Sequence, residues 1–214
     1  MRAGVLPAAL ALALALSAPL AAVAQDGAAG DDRARAAALL RHLAEEPGPT
    51  VVGNPRGSIS IVEFFDYRCP YCRQMQATLG DLLAGDHRVR LVLKEWPIFG
   101  GVSLYAAKVA IAAGWQGRFA DMHDALWTVR APMTEAAIRA AARTAGVDVG
   151  RLDRDLVVHA AEIDRMLAEN RAEAGALRLS GTPGLVVGHY VVRGAVSLHD
   201  LRGILDDAER ASAD

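Results

Sequence analysis

Cys69 and Cys72 are the only cysteines in 214 residues, and they stand at the junction of two runs with different periodicities. Before them, Ile59 to Phe65 is almost continuously apolar, the pattern of a central strand covered on both faces. After them, Met75, Leu79, Leu82 and Leu83 recur at helical spacing, and Gly85 closes the run. Pro70 suits the first turn of that helix, where its missing N–H costs nothing. The junction therefore holds two sulfurs at a helix N-terminus, directly after a buried strand. A C-x-x-C pair in general admits a staple, a metal site or redox chemistry. As a staple this pair would close only a tiny loop and remove little entropy from the unfolded chain. A zinc site needs four ligands, and no second cysteine pair exists. His42, His87, His123, His159, His189 and His199 show no ligand spacing beside Cys72. Redox chemistry is the reading that remains best supported, and a strand–C-x-x-C–helix junction is where a thioredoxin-type fold performs it.

The N-terminus bears on the redox compartment. Arg2 is followed by an Ala/Leu run from Val5 to Leu20, and Ala22-Val23-Ala24 is a small-x-small site before Gln25. Residues 1–24 read as a secretory signal peptide cleaved after Ala24, which implies export to the periplasm or another extracytoplasmic space where disulfides persist. A transmembrane anchor is the alternative, but the apolar run is short for a span. The formal charge is −2, and removal of residues 1–24 takes one Arg and no acid, leaving −3. Such a balance gives no electrostatic argument for nucleic acid or an anionic membrane surface.

Residues 25–50 form an N-terminal extension. A short helix from Arg33 to Glu45 puts Ala36, Leu39, Leu40 and Leu43 on one face, ended by Glu46-Pro47-Gly48-Pro49. The extension is read as a leader packed on its own domain. The domain proper runs over 51–212. Val51 to Gly57 is a strand and turn, and Val89 to Leu93 a buried strand leading to Lys94-Glu95-Trp96-Pro97. From about 101 to 179 the chain is helical, with stops at Gly114 and before Pro132. Thr134 caps a helix with a stripe of Ile138, Ala141, Ala142 and Ala145, and a further helix starts near His159. Leu185 to Val187 and Tyr190 to Val192 flank Gly188-His189, a two-residue hairpin turn. Ser197 to Asp200 matches a capping box before the last helix.

This order, with V-E-F-F-D-Y-R-C-P-Y-C at 62–72, K-E-W-P at 94–97 and G-T-P at 181–183 before a hairpin, resembles the DsbA-like family of exported thiol–disulfide oxidoreductases. The resemblance covers about Val51 to Asp207. It implies an α/β thioredoxin-like fold with an inserted all-helical subdomain. It also implies a cis peptide bond at Thr182-Pro183, packed against the disulfide and offering backbone hydrogen bonds to an extended substrate. The founding oxidase of the family has His where this chain has Tyr71 and Val where it has Thr182, so its redox poise does not carry over with the fold.

Within this frame Cys69 is the expected nucleophile, its thiolate favoured by helix-end N–H groups and the dipole, and Cys72 the less exposed resolving thiol. Pro70 and Tyr71, both uncharged, tune the pair. Glu63 is either an acid reaching water at a strand end, or an acid beneath the disulfide that relays a proton to or from Cys72. Lys94, at the end of the next strand, offers it a partner. Phe65, Asp66, Tyr67 and Trp96 either border a peptide groove or pack in the core. His123 and His159 are read as surface or satisfied core residues. The expected activity is disulfide formation or exchange in secreted proteins that are unfolded or partly folded and carry free thiols. No cofactor is expected beyond the Cys69–Cys72 disulfide, which a membrane redox partner resets. The alternatives are a disulfide isomerase or reductase, or a non-catalytic thioredoxin-fold chaperone or copper-binding module.

Overall fold

The computed structural model describes residues 34–45 and 50–213. The signal-peptide reading of residues 1–24 lies outside the described residues, as does the Pro-Gly-Pro segment at 46–49. A helix at 34–45 (α1) precedes β1 (Val51–Gly53), β2 (Ile59–Phe65), α2 (Pro70–Gly85) and β3 (Val89–Glu95). Five helices follow: α3 (Val102–Gly114), α4 (Phe119–Thr128), α5 (Glu135–Thr144), α6 (Val149–Val158) and α7 (Ala160–Ala176). The chain ends with β4 (Gly184–Val187), β5 (Tyr190–Arg193) and α8 (Leu198–Ala213).

The five strands form one sheet in the order β1-β3-β2-β4-β5. β2 and β3 run parallel, so they need a crossover, and α2 supplies it. The other pairings are antiparallel. The β4–β5 hairpin pairs Val187 with Tyr190 around the expected two-residue turn, with Gly188 at a φ of 57°.

Both faces of the sheet are covered, which is why β2 and β3 read as continuous apolar runs. Alternate residues sort the two cores. Ile61, Phe65, Leu91, Leu93 and Leu185 face α2, α8 and the helical block. Val62, Phe64, Val92 and Val186 face the opposite way, against Leu43 of α1 and Ala174 and Leu177 near the end of α7. The helical block is built around α3, whose residues from Val109 to Ala113 are all buried, and which packs on α4, α5, α6 and α7. Its alanines explain how so few aromatic residues suffice: small side chains let the helices approach closely.

Local chemistry sets the element ends. Thr134 accepts from Ala137 N at 3.1 Å, and Asp148 accepts from Arg151 N at 2.9 Å. Ser197 Oγ accepts from Asp200 N at 3.1 Å, one arm of the expected capping box, while Asp200 Oδ2 accepts from the Ser197 hydroxyl at 2.7 Å in place of the backbone N–H. The sequence reading places no separate helix at α6. It is amphipathic all the same: Leu152 is fully buried, Val149 and Leu156 pack beside it on the core, and Asp148 caps its start.

Candidate active site

Cys69 is the N-cap of α2, and Pro70 occupies the first helical position. The Cys72 N–H, one of the orphan donors of a helix start, points at Cys69 Sγ from 3.3 Å. Cys69 Sγ also lies 3.3 Å from the Thr182 carbonyl oxygen, to which its S–H donates. The chain thus brings together residues 113 positions apart. Both cysteines are free thiols, Cys69 3% exposed and Cys72 fully buried. Burial pushes the Cys72 thiol strongly up, and the neighbouring Glu63 charge adds to this. Tyr71, between them, is 63% exposed and so lies at the rim.

The Thr182-Pro183 bond is cis, as the family resemblance implies. Pro183 is buried at the mouth of β4, and its carbonyl accepts from Gly194 N at 2.9 Å. The Thr182 hydroxyl is buried and has no hydrogen-bond partner among the described residues, and its backbone carbonyl faces Cys69 Sγ.

Asp66 shapes the loop between β2 and α2. Its carboxylate accepts from Arg68 N at 2.8 Å, Phe99 N at 3.0 Å and Ser103 Oγ at 2.8 Å. One side chain therefore ties the cysteine loop to the start of α3. Asp66, Phe65 and Tyr67 are all buried, so of the two readings offered for them, packing holds for Asp66 and Phe65. Tyr67 is core and also forms one wall of a groove beside Pro70.

Glu63 does not reach water. It is fully buried, neither carboxylate oxygen has a hydrogen-bond partner among the described residues, and burial pushes its carboxyl from the ordinary 4.5 up to about 8. It pairs in register with Leu93 on one side and Leu185 on the other, on the sheet face that carries α2. The expected partnership with Lys94 is not formed. Lys94 pairs in register with Phe64, one residue on, so the pleat sends it to the opposite face. There its Nζ meets Glu173 Oε2 of α7 at 3.0 Å.

A second buried acid shares the face of Glu63. Glu95 is two residues beyond Leu93 on β3, close enough for the charge of Glu63 to raise its carboxyl. Burial is the larger cause, and the Tyr67 hydroxyl opposes it by donating to Oε1 at 2.9 Å. Tyr67 is in turn 3.0 Å from His123 Nδ1, and Trp127 Nε1 donates to His123 Nε2 at 3.0 Å. Trp127 can only donate, while Gln76 Oε1, an acceptor, also lies 3.1 Å from Nε2, so Nε2 stands between a donor and an acceptor. These contacts join Trp127, His123, Tyr67 and Glu95 in one buried polar cluster. Burial holds His123 neutral, its imidazole lowered from 6.5 to about 3. His123 is thus a satisfied core histidine, as expected. Glu95 stands in the K-E-W-P stretch, but nothing in sequence separates it from a solvated strand-end acid; the only available signal is its two-residue offset from Leu93 on an apolar strand.

Residues 60–206 match the DSBA-like thioredoxin domain family. Among solved structures, the chain is similar to a thioredoxin-like oxidoreductase from Silicibacter pomeroyi DSS-3, with 38% identity and a TM-score of 0.75 over 79% of this chain and 98% of that one. It shares its fold with the thiol-disulfide exchange protein alpha-DsbA2 from Wolbachia pipientis, at 24% identity and a TM-score of 0.75 over 86% and 97% of the two chains. The catalytic domain of Proteus mirabilis ScsC has the same fold, at 22% identity and a TM-score of 0.71 over 81% and 97%. A curated relative is the Na(+)/H(+) antiporter NhaA 1 of Mycolicibacterium gilvum, 28% identical over 141 residues, covering 64% of this chain and 23% of the antiporter. The chain thus spans about a quarter of the length of the curated relatives it matches.

Proposed function

Because the chain belongs to the DSBA-like thioredoxin domain family, we propose that it is an exported dithiol–disulfide oxidoreductase, forming or exchanging disulfides in protein substrates through Cys69 and Cys72. The observation that carries this reading is Cys69 at the N-cap of α2, with the Cys72 N–H and the Thr182 carbonyl each 3.3 Å from its sulfur. The first contact supports a thiolate on Cys69. The second supports an extended substrate laid along the Thr182 backbone.

In the oxidised enzyme a substrate thiolate attacks Cys69 Sγ. The Cys69–Cys72 bond breaks, and its electron pair leaves on the Cys72 sulfur. A second substrate thiolate then attacks the substrate sulfur of the mixed disulfide, and Cys69 departs as a thiolate held by the Cys72 N–H. Substrate loses two electrons and the enzyme pair gains them. A bare thiolate on Cys72 is costly in so dry a place, so it takes a proton, and Glu63 is the acid assigned to supply it. Glu63 takes the proton back when Cys72 acts as resolving nucleophile. Pro70 and Tyr71 carry no charge to add to the helix end, which supports a poise set mainly by backbone N–H groups. A membrane redox partner resets the pair; its direction separates an oxidase from an isomerase or reductase. No cofactor takes part beyond the disulfide itself.

The test uses insulin reduction and oxidative refolding of a reduced, unfolded substrate. Cys69→Ser is expected to abolish both, and Cys72→Ser to accumulate mixed disulfides with substrate. Undiminished turnover by Cys69→Ser sinks the reading, as does tight Cu(I) binding by a wild type without turnover. The redox state of the pair in cells assigns direction, oxidised for an oxidase and reduced for an isomerase or reductase.

A further inference from the structure

We infer that the groove beside the cysteine pair selects substrate segments rich in Asp and Glu around the reacting thiol. The inference rests on the oxidoreductase reading and names its substrate class.

The groove has a volume of about 770 Å³ and begins at Pro70, between the two cysteines. Val102 at the start of α3 and Met133 before α5 give it apolar walls. Its charges are all of one sign: Arg68, Arg73 and Arg130 line it, and no acidic residue does. Several arginines elsewhere meet carboxylates. Arg88 pairs with Asp86, Asp206 and Glu209, Arg139 with Asp153, and Arg118 with Asp121.

The three groove arginines have no such partner among the described residues. Arg73 donates to the Trp127 and Val129 carbonyls at the end of α4 and lies 5.6 Å from the Trp127 ring centre. Arg68 lies 6.0 Å from the Phe99 ring centre. Arg130 makes no hydrogen bond or ion pair among the described residues. Asp66, two residues before Arg68, already accepts from two backbone N–H groups and the Ser103 hydroxyl. Carbonyls and ring faces orient a guanidinium without cancelling its charge, so the groove presents three exposed cations, with Arg68 and Arg73 held in place.

The net charge of −2 opposes an acidic segment in principle. Charges across the molecule, however, lie well beyond the screening length of about 8 Å at physiological salt, whereas the groove arginines act in contact. A carboxylate can take a guanidinium in a two-pronged hydrogen bond, which fixes the register of the segment as well as its sign. Exposed pairs of this kind shift an equilibrium roughly two- to fivefold each.

Three peptides test this, each with one Cys in the same apolar frame and with flanks of Asp/Glu, Ser/Gln or Lys/Arg. The measurement is the rate constant for oxidation by the Cys69–Cys72 disulfide, corrected for each peptide's thiolate fraction. At low salt the acidic peptide is expected to react about tenfold faster than the basic one, with the neutral peptide between them. The three rates should converge in 1 M NaCl. Arg130→Glu, at an exposed position with no partner to lose, should narrow or reverse the order while leaving the circular dichroism spectrum unchanged. Equal rates for the three peptides in the wild type overturn the acidic preference and leave the oxidoreductase reading standing. Failure to oxidise even the neutral peptide overturns that reading and this inference together.

Discussion

A carboxyl group without a hydrogen-bond partner is held in a core only at a cost, and Glu63 lies near the Cys72 thiol, which is itself fully buried. Next to it, Glu95 keeps one partnered oxygen through Tyr67 and one unpartnered. Tyr67 is therefore the residue on which this polar cluster depends. Tyr67→Phe leaves Glu95 Oε1 and His123 Nδ1 buried without partners, and an orphaned buried group costs ~1–3 kcal/mol. The expected loss is about 2–4 kcal/mol in urea unfolding at pH 7. Tyr71→Phe removes the same atom from a side chain that is 63% exposed, and should change stability by less than about 0.5 kcal/mol. Comparable losses for the two variants would mean that the Tyr67 hydrogen bonds contribute nothing net. The placement of Cys69 and Cys72 at a helix start after a buried strand was legible from spacing. Glu63 stood out as an acid inside an apolar strand. Tyr67 and Glu95 were not legible as partners, because 28 residues and a crossover helix separate them. Lys94 was assigned the wrong partner for a different reason: adjacency in sequence says nothing about which side of a pleat a residue takes until the register is known.

At the scale of elements, two glycines separate close packing from mere occurrence. Gly57 closes the turn into β2, and a Cβ there would stand 2.4 Å from the Arg88 carbonyl oxygen and 2.7 Å from Arg90 N. Both are backbone atoms at the start of β3, so no side chain can move aside. Gly57→Ala should cost roughly 2–3 kcal/mol by prying β3 from the turn. Gly80 lies inside α2 with nothing within 4 Å of its added Cβ. Gly80→Ala should stabilise by about 0.5–1 kcal/mol through helix propensity alone. Thermal unfolding of the two variants decides this, and a Gly57→Ala midpoint at or above the wild type would refute the close approach. The boundaries of α2, α5 and α8 were legible because their first turns carry Cys69-Pro70, Thr134 and Ser197. α6 carries comparable signals, the Asp148 cap and apolar residues at 149, 152 and 156, and was passed over although they were there to read.

Across the whole molecule the buried titratable groups give stability a definite pH profile. The Glu63 carboxyl is raised from 4.5 to about 8, so the folded state holds a proton that the unfolded chain releases above about 4.5. Its contribution is complete below 4.5 and is lost as pH rises through 8, worth at most roughly 5 kcal/mol at 1.36 kcal/mol per pH unit. Glu95 is raised by the same burial and acts with the same sign. His123 is lowered from 6.5 to about 3, so its contribution is present above 6.5 and is lost as pH falls toward 3. The two trends oppose each other between 4.5 and 6.5. The reduced protein is expected to be most stable at a mildly acidic pH, with Glu63→Gln flattening the alkaline limb. Denaturant titrations from pH 4 to 9 in excess reductant check this; stability that rises steadily from pH 5 to 8 would contradict it.

The linear chain by itself determined the strand–cysteine–helix junction, the helical insertion between β3 and β4, and the hairpin and last helix that follow, because periodicity, caps and turn residues are local signals. Tertiary structure alone decided which groups meet at the sulfurs. The Thr182 carbonyl reaches Cys69 only after the sheet has ordered β4 beside β2. Glu63 and Lys94 part company only once the pleat sends them to opposite faces. The charge of the groove emerges only when α2, α3 and the segment after α4 converge beside Pro70. Each of these depends on pairing register and packing between distant segments, which no short stretch of residues encodes.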